Sequence, residues 1–271
     1  MTLPKAHDDH TDFSPGMVWL VGAGPGDPEL LTRKAERLIQ AASVIFYDAL
    51  VGPGVLALAA SAARLVPVGK RSGRHSRAQD EIDRMIVCAA LSGERVVRLK
   101  GGDPGIFGRA DEELGACRAA GVPVAICPGV TAASAAAAGL GLSLTLRGLA
   151  RKVTFVTAHA RGSEPLDLDW HALADPQATL AVYMGKAAAA QVARNLLKQG
   201  LADDTPVIVV ENVSLPQERH ISTRLDLLPL AARSLGDGPT LLLIGQAMKT
   251  RTRIPVTLAL TDLPPVTEQP V

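Results

Sequence analysis

Short apolar runs recur along the chain at Val18–Val21, Ser43–Tyr47, Arg64–Val68, Arg95–Leu99 and Val122–Cys127. Each is rich in branched residues and bounded by turn formers or charge, the pattern of a buried strand. Between them, Pro28–Ala42, Arg77–Leu91 and Arg109–Ala120 read as helices. Asp27 stands as N-cap and Pro28 as first residue of the first of these. In the second, Ile82, Met85, Ile86 and Ala89 form one apolar stripe, and Ser76 stands at the N-cap. Alternation of this kind predicts a mostly parallel sheet with helices on its faces.

Gly139-Leu140-Gly141-Leu142-Ser143 interrupts the alternation and reads as a hinge. Beyond it, Lys152–Thr157, Ala178–Met184, Pro206–Glu211 and Thr240–Ile244 read as strands. Lys186–Gln199 reads as a helix stopped by Gly200, and His220–Leu225 as an antiparallel addition. The expected organisation is α/β: two α/β domains with mostly parallel sheets. A polar tail covers 1–16, the first domain 17–138, a linker 139–151, the second domain 152–250 and a second tail 251–271. The uncharged stretch Ala119–Leu146 is long enough to span a bilayer, but Pro123, Pro128 and several glycines break it. It reads as a strand, a turn and a small-residue helix.

Composition narrows the function. Hydrophobic residues make up 47% of the 271, enough for a large core, while aromatics make up 3%, which argues against base-stacking surfaces. A formal net charge of +1 argues against a general nucleic-acid binder. Cys88, Cys117 and Cys127 form no Cys-x-x-Cys pair, which suits reduced thiols in the cytoplasm. Residues 1–15 lack the basic-then-apolar order of a signal peptide, and their His and Asp read as a polar tail with no metal site.

Positive charge is concentrated in two spans. No acid occurs between Asp48 and Asp80, where Arg64, Lys70, Arg71, Arg74, His75 and Arg77 lie. None occurs between Glu113 and Glu164, where Arg118, Arg147, Arg151, Lys152 and Arg161 lie. Together they favour a polyanionic substrate, because guanidinium groups bind carboxylates bidentately.

Two glycine turns follow strands. Gly101-Gly102-Asp103-Pro104 ends Val96–Lys100, and Ile106-Phe107-Gly108-Arg109 follows. Glycines there let the backbone approach a ligand, and ligands of open α/β sheets bind at strand carboxyl ends. Gly22-Ala23-Gly24-Pro25-Gly26-Asp27 resembles a dinucleotide fingerprint, and Asp48 would suit its ribose acid. Asp27, however, replaces the third glycine, and a carboxylate would repel a pyrophosphate. A neutral or cationic ligand fits better than NAD.

Taken in order, Val21–Pro28, Val68-Gly69-Lys70-Arg71, His75 with Gln79, Glu81 and Ile82, Gly101–Pro104 with Ile106–Arg109, Pro128–Thr131, Tyr183–Gly185 and Val210–Asn212 resemble the tetrapyrrole methylase family. Gly69-Lys70-Arg71 with His75 and Gln79 resembles its uroporphyrinogen-III C-methyltransferase branch; the likeness spans roughly 17–248. It implies two α/β domains with S-adenosylmethionine in a cleft between them, in a homodimer. It also implies methylation of uroporphyrinogen III on rings A and B, giving precorrin-2 and S-adenosylhomocysteine.

The cofactor contacts implied by the resemblance are Pro25, Gly101, Gly102, Asp103 and Ile106, then Thr131, Ala132, Met184, Val213 and Thr240. Catalytic roles fall on Asp48, Lys70 and Arg109. Asp48 is the leading candidate to accept the ring proton, with a helix-capping role as the alternative. Lys70 resembles the family's acid or else anchors a propionate. Arg109 orients the substrate in company with Glu112, because a guanidinium does not readily lose its proton. Arg71, Arg74, His75, Glu112 and Arg147 are expected to bind the substrate. Leu146, Ala158 and Asp83 depart from the family's usual His, Gly and Asn. A later corrin-ring methylase would share the glycine turns but lack the Gly69–Gln79 pattern. A nucleotide-binding oxidoreductase would need the third glycine.

Overall fold

The structure is a computed structural model and describes residues 13–69, 79–158 and 166–249. Ser76 and the N-cap expected there lie outside the described residues. Strands β1 (Val18–Gly22), β2 (Val44–Tyr47), β3 (Arg64–Pro67), β4 (Val96–Lys100) and β5 (Val124–Cys127) form one sheet in the order β3-β2-β4-β1-β5. Every pairing in it is parallel. Helices α1 (Arg33–Ala41), α2 (Pro53–Leu56), α3 (Gln79–Leu91) and α4 (Ala110–Ala119) make the crossovers. Successive side chains of a strand point to opposite faces. Trp19, Val21, Ile45, Val97 and Leu99 therefore pack with Ala35, Leu38 and Ile39 of α1. Leu20, Val44, Phe46 and Val96 pack with Ile82, Ile86, Leu114 and Cys117 of α3 and α4.

The second sheet comprises β6 (Lys152–Thr157), β7 (Ala178–Tyr183), β8 (Pro206–Glu211), β9 (Arg219–Arg224) and β10 (Thr240–Ile244), in the order β6-β7-β10-β8-β9. The expectation of mostly parallel sheets holds for the first sheet; here only β6 and β7 pair in parallel. β10 inserts antiparallel between β7 and β8, and β9 returns antiparallel to β8. A connection as short as that between β8 and β9 permits only antiparallel pairing. Helices α6 (Trp170–Leu173), α7 (Ala189–Lys198) and α8 (Leu228–Arg233) complete this half. The sequence reading anticipated α7 but neither α6 nor α8. Val192 and Leu196 of α7 and Leu228 of α8 cover one face of the sheet. The other face is covered by Ala133 and Ala136 of α5 (Ala132–Gly139). The chain thus passes from one sheet to the other ahead of residues 139–151, where the sequence places the linker.

Two helix starts differ from expectation. Pro28–Ala42 is not one helix: Asp27 caps a single turn at Pro28–Leu30, Leu31 and Thr32 are extended, and Thr32 Oγ1 then accepts from Ala35 N at 3.1 Å to start α1. Arg109 precedes α4 instead of opening it, because its φ of 56° is left-handed. Among the described residues no helix is long and apolar enough to cross a membrane.

Three glycine turns meet at the carboxyl edge of the first sheet. The β1–β4 pairing continues past the strands, with Gly102 N donating to Gly24 O at 2.7 Å and Gly24 N to Gly102 O at 3.2 Å. A Cβ on Gly22 would lie 2.6 Å from Gly129 Cα and 2.7 Å from Gly102 O, closer than packed atoms come. The α3–α4 face of the same sheet holds one polar cluster. Arg98 and Lys100 of β4 and Glu113 of α4 are all buried. Glu113 accepts from Arg98 Nε at 2.8 Å and from Lys100 Nζ at 2.7 Å.

Gly129→Ala should destabilise the fold by about 3 kcal/mol or more, because only backbone can yield to the added methyl. Gly115→Ala, in an open position on α4, should instead stabilise it by about 0.5–1 kcal/mol. Glu113→Gln should cost about 3–5 kcal/mol, since it strands two buried cations. Urea unfolding measures all three. A Gly129→Ala protein as stable as the parent would disprove the backbone packing.

Candidate functional site

A cavity of about 450 Å³ opens at the carboxyl ends of β2 and β4 and reaches across to β7 and β10. Its first-half lining is Pro25, Gly101, Gly102, Asp103 and Ile106, together with Asp48, Phe107 and Arg109. Thr131 and Ala132 line it from the start of α5, and Met184, Val213 and Thr240 from the second half. All ten expected cofactor residues, spread from Pro25 to Thr240, therefore line one cavity.

Local chemistry explains how each is held. Gly101 N donates to Asp48 Oδ2 at 3.2 Å, so the turn after β4 is tied to the end of β2. Asp103 accepts from Gly105 N at 2.7 Å and from Gly129 N at 2.9 Å, which joins the turn after β4 to the turn after β5. Gly102 has φ 71°, and a Cβ there would meet nothing within 4 Å. Its backbone faces open space on the cavity wall, the cradle a closely held ligand needs. Asp27, by contrast, accepts from Glu29 N at 2.9 Å, and its own N donates to Ser214 Oγ at 3.0 Å. It is a cap and a tie to the second half, and it does not line the cavity.

Asp48 is not a helix cap; Gly52 holds the N-cap position of α2. Asp48 Oδ1 accepts from Leu50 N at 2.9 Å, and Arg98 Nη1 stands 4.0 Å from Oδ2. Arg109 donates through Nε to Glu112 Oε1 at 2.7 Å and through Nη2 to Oε2 at 2.6 Å. Those hydrogen bonds raise its pKa further and keep the guanidinium charged. Glu112 itself stands behind Arg109, outside the cavity lining. Arg147 is exposed on the turn closed by Leu146 and Ala150 and does not line the cavity. The cavity thus gathers Asp48 and Arg109 with the ten expected cofactor residues and leaves Arg147 apart. Lys70, Arg71, Arg74 and His75 lie outside the described residues. Leu146 packs half-buried against the apolar cluster under α5.

Sequence reasoning missed three contributors. Arg98 and Lys100 line the cavity from beneath. Burial, and then the neighbouring Arg98, push the Lys100 ammonium below the ordinary lysine range, against the pull of Glu113. The available signal was two cations at alternate positions of an apolar strand, which places them on one buried face. Tyr183, at the end of β7, also lines the cavity. Its hydroxyl bonds Thr131 Oγ1 and accepts from Ala133 N at 3.2 Å, which anchors α5 to the second sheet. Burial raises its pKa. Nothing in its surroundings along the chain foretold that contact.

The chain matches the family of Tetrapyrrole (Corrin/Porphyrin) Methylases over residues 17–229. It is 47% identical over 231 residues to a uroporphyrinogen-III C-methyltransferase of Paracoccus denitrificans, covering 85% of this chain and 80% of that protein. It is 45% identical over 245 residues to a siroheme synthase of Gluconacetobacter diazotrophicus, covering 90% of this chain and 52% of the synthase. The chain therefore spans about half that protein's length. A crystal structure of uroporphyrin-III C-methyl transferase from Thermus thermophilus, complexed with S-adenyl homocysteine, superposes with a TM-score of 0.73 at 41% identity, over 85% of this chain and 98% of that one. The cavity, the motifs that line it and these likenesses agree: the chain belongs to the tetrapyrrole methylase family.

Proposed function

We propose that this chain methylates uroporphyrinogen III at ring carbons, on rings A and B, giving precorrin-2 and S-adenosylhomocysteine. The observation that carries this reading is the convergence of all ten expected cofactor residues on one glycine-cradled cavity. The names of the relatives support the substrate. S-adenosylmethionine, when bound, supplies an electrophilic methyl group. The chain's own residues hold the reactants and manage the proton. Gly102 admits a ligand against bare backbone, Gly101 leaves room for Leu50, and Asp103 fixes their turn. Holding donor and acceptor collinear supplies most of the acceleration.

Arg109, paired with Glu112 and permanently charged, receives a substrate carboxylate at the cavity mouth. Asp48 accepts the ring proton: each of its oxygens takes one backbone N–H and keeps a second lone pair free. Lys70 serves as acid or propionate anchor in this reading. Arg71, Arg74 and His75 bind other carboxylates, and Arg147 a peripheral one. We also infer a homodimer in the cytoplasm. Support comes from Ile126, exposed on the edge strand β5, from the exposed Leu149, and from three free thiols.

S-adenosylhomocysteine at a hundred times its Kd should stabilise the chain by about 2.7 kcal/mol. NAD should leave the melting temperature unchanged. Asp48→Asn should slow single-turnover methyl transfer by about 100- to 10,000-fold. It should weaken S-adenosylhomocysteine no more than about tenfold, the loss of one hydrogen bond. Native single-turnover rates in that variant would remove Asp48 as the proton acceptor. Arg109→Ala should lower kcat/KM for uroporphyrinogen by about 10- to 100-fold, the scale of a charge-assisted hydrogen bond, with cofactor affinity retained. Equal losses for both ligands would move Arg109 into the cofactor site.

A further inference from the structure

Three of the exposed large apolar side chains, Leu50, Phe107 and Met184, line the one cavity already described. Two of them, on the first-half side, are fixed in place. Leu50 sits over Gly101, where an added Cβ would come within 2.7 Å of Leu50 Cβ. Its own N–H is held by Asp48. Phe107 has a φ of 54°, a left-handed conformation that a bulky side chain adopts only under constraint. Its ring packs 5.2 Å from that of Tyr183 at 57°, and Phe155 packs on Tyr183 from 5.8 Å. The phenol beneath Phe107 is thus anchored by Thr131, Ala133 and Phe155. Even so, Phe107 remains 41% exposed and Leu50 54% exposed.

A fixed aromatic ring left open to water, in a chain with only four Phe, calls for a partner that covers it. The charges around it define that partner. Arg109 lies two residues from Phe107 on the same rim, and Arg98 and Lys100 lie below. An apolar surface with cations at its edge complements the apolar face of a single pyrrole ring that carries carboxylate side chains. We propose that Leu50 and Phe107 form a platform for the face of one pyrrole ring of the tetrapyrrole, while Arg109 takes one of its peripheral carboxylates. This rests on the tetrapyrrole substrate proposed above. It adds two residues that place the ring against the methyl-donor site and involve no proton transfer.

The test uses the full chain with saturating S-adenosylhomocysteine and uroporphyrinogen III, kept reduced under anaerobic conditions, as probe. Calorimetry gives the Kd of each ligand. Phe107→Ala should weaken uroporphyrinogen III by about tenfold, the scale of one ring stacked on a π face. Leu50→Ala should weaken it by a smaller factor, and Phe107→Tyr should restore binding to within about twofold. S-adenosylhomocysteine affinity should stay within about twofold throughout, which also reports that the variants fold. In turnover, Phe107→Ala should raise KM for uroporphyrinogen more than it lowers kcat. Unchanged uroporphyrinogen affinity in Phe107→Ala overturns the platform. So does an equal loss of S-adenosylhomocysteine, which would assign Phe107 to the cofactor. A parent chain that binds S-adenosylhomocysteine but not uroporphyrinogen III overturns the substrate reading, and the platform with it.

Discussion

Backbone-to-backbone contact among Gly22, Gly102 and Gly129 is the constraint on which the site depends. β1 lies between β4 and β5, with Gly22 in register with Lys100 and Val21 with Cys127. The turns that follow all three strands therefore leave the sheet at one level and must share one space. Side chains at Gly22 or Gly129 would drive them apart. Because they close up, Asp103 reaches Gly129 N and the backbone of Gly102 is presented to the cavity. The glycines thus divide the work: two admit backbone, and Gly102 leaves open space on the cavity wall.

The charged cluster beneath the cavity follows from the same geometry. β4 is central and buried on both faces, yet it ends at the ligand edge. Arg98 and Lys100 occupy that end and share Glu113. Such a cluster is a weak source of stability, since desolvation offsets its attraction. Its value lies in position. It sets positive charge under a site that our reading fills with carboxylates, and it brings Arg98 within 4.0 Å of Asp48.

The second half closes the cavity by different means. Small residues of α5 lie close on the second sheet, and Tyr183 ties the start of that helix to β7. Phe107, Arg109 and Met184, all with positive φ, line the cavity from both halves. Non-glycine residues in that region hold strain that the surrounding packing must enforce. Their clustering at one cavity is what a functional site leads one to expect.

Local pattern in the sequence determined much of this. Apolar runs marked nine strands and the pattern at His220–Leu225 the tenth, each to within a few residues, because strands inside a covered sheet are mostly apolar. The glycine turns and their resemblance to a family marked ten residues from Pro25 to Thr240 that the fold brings to one cavity, because close backbone approach tolerates few residue types. Only the tertiary structure decided that β10 inserts antiparallel between β7 and β8, since pairing partners are chosen by packing across the sheet. It alone decided that α5 covers the second sheet and that the Pro28–Ala42 helix breaks at Thr32. It also carried Asp103 Oδ2 to Gly129 N, 26 residues further along. A carboxylate takes whichever donors folding brings within reach, and this one comes from the turn after another strand.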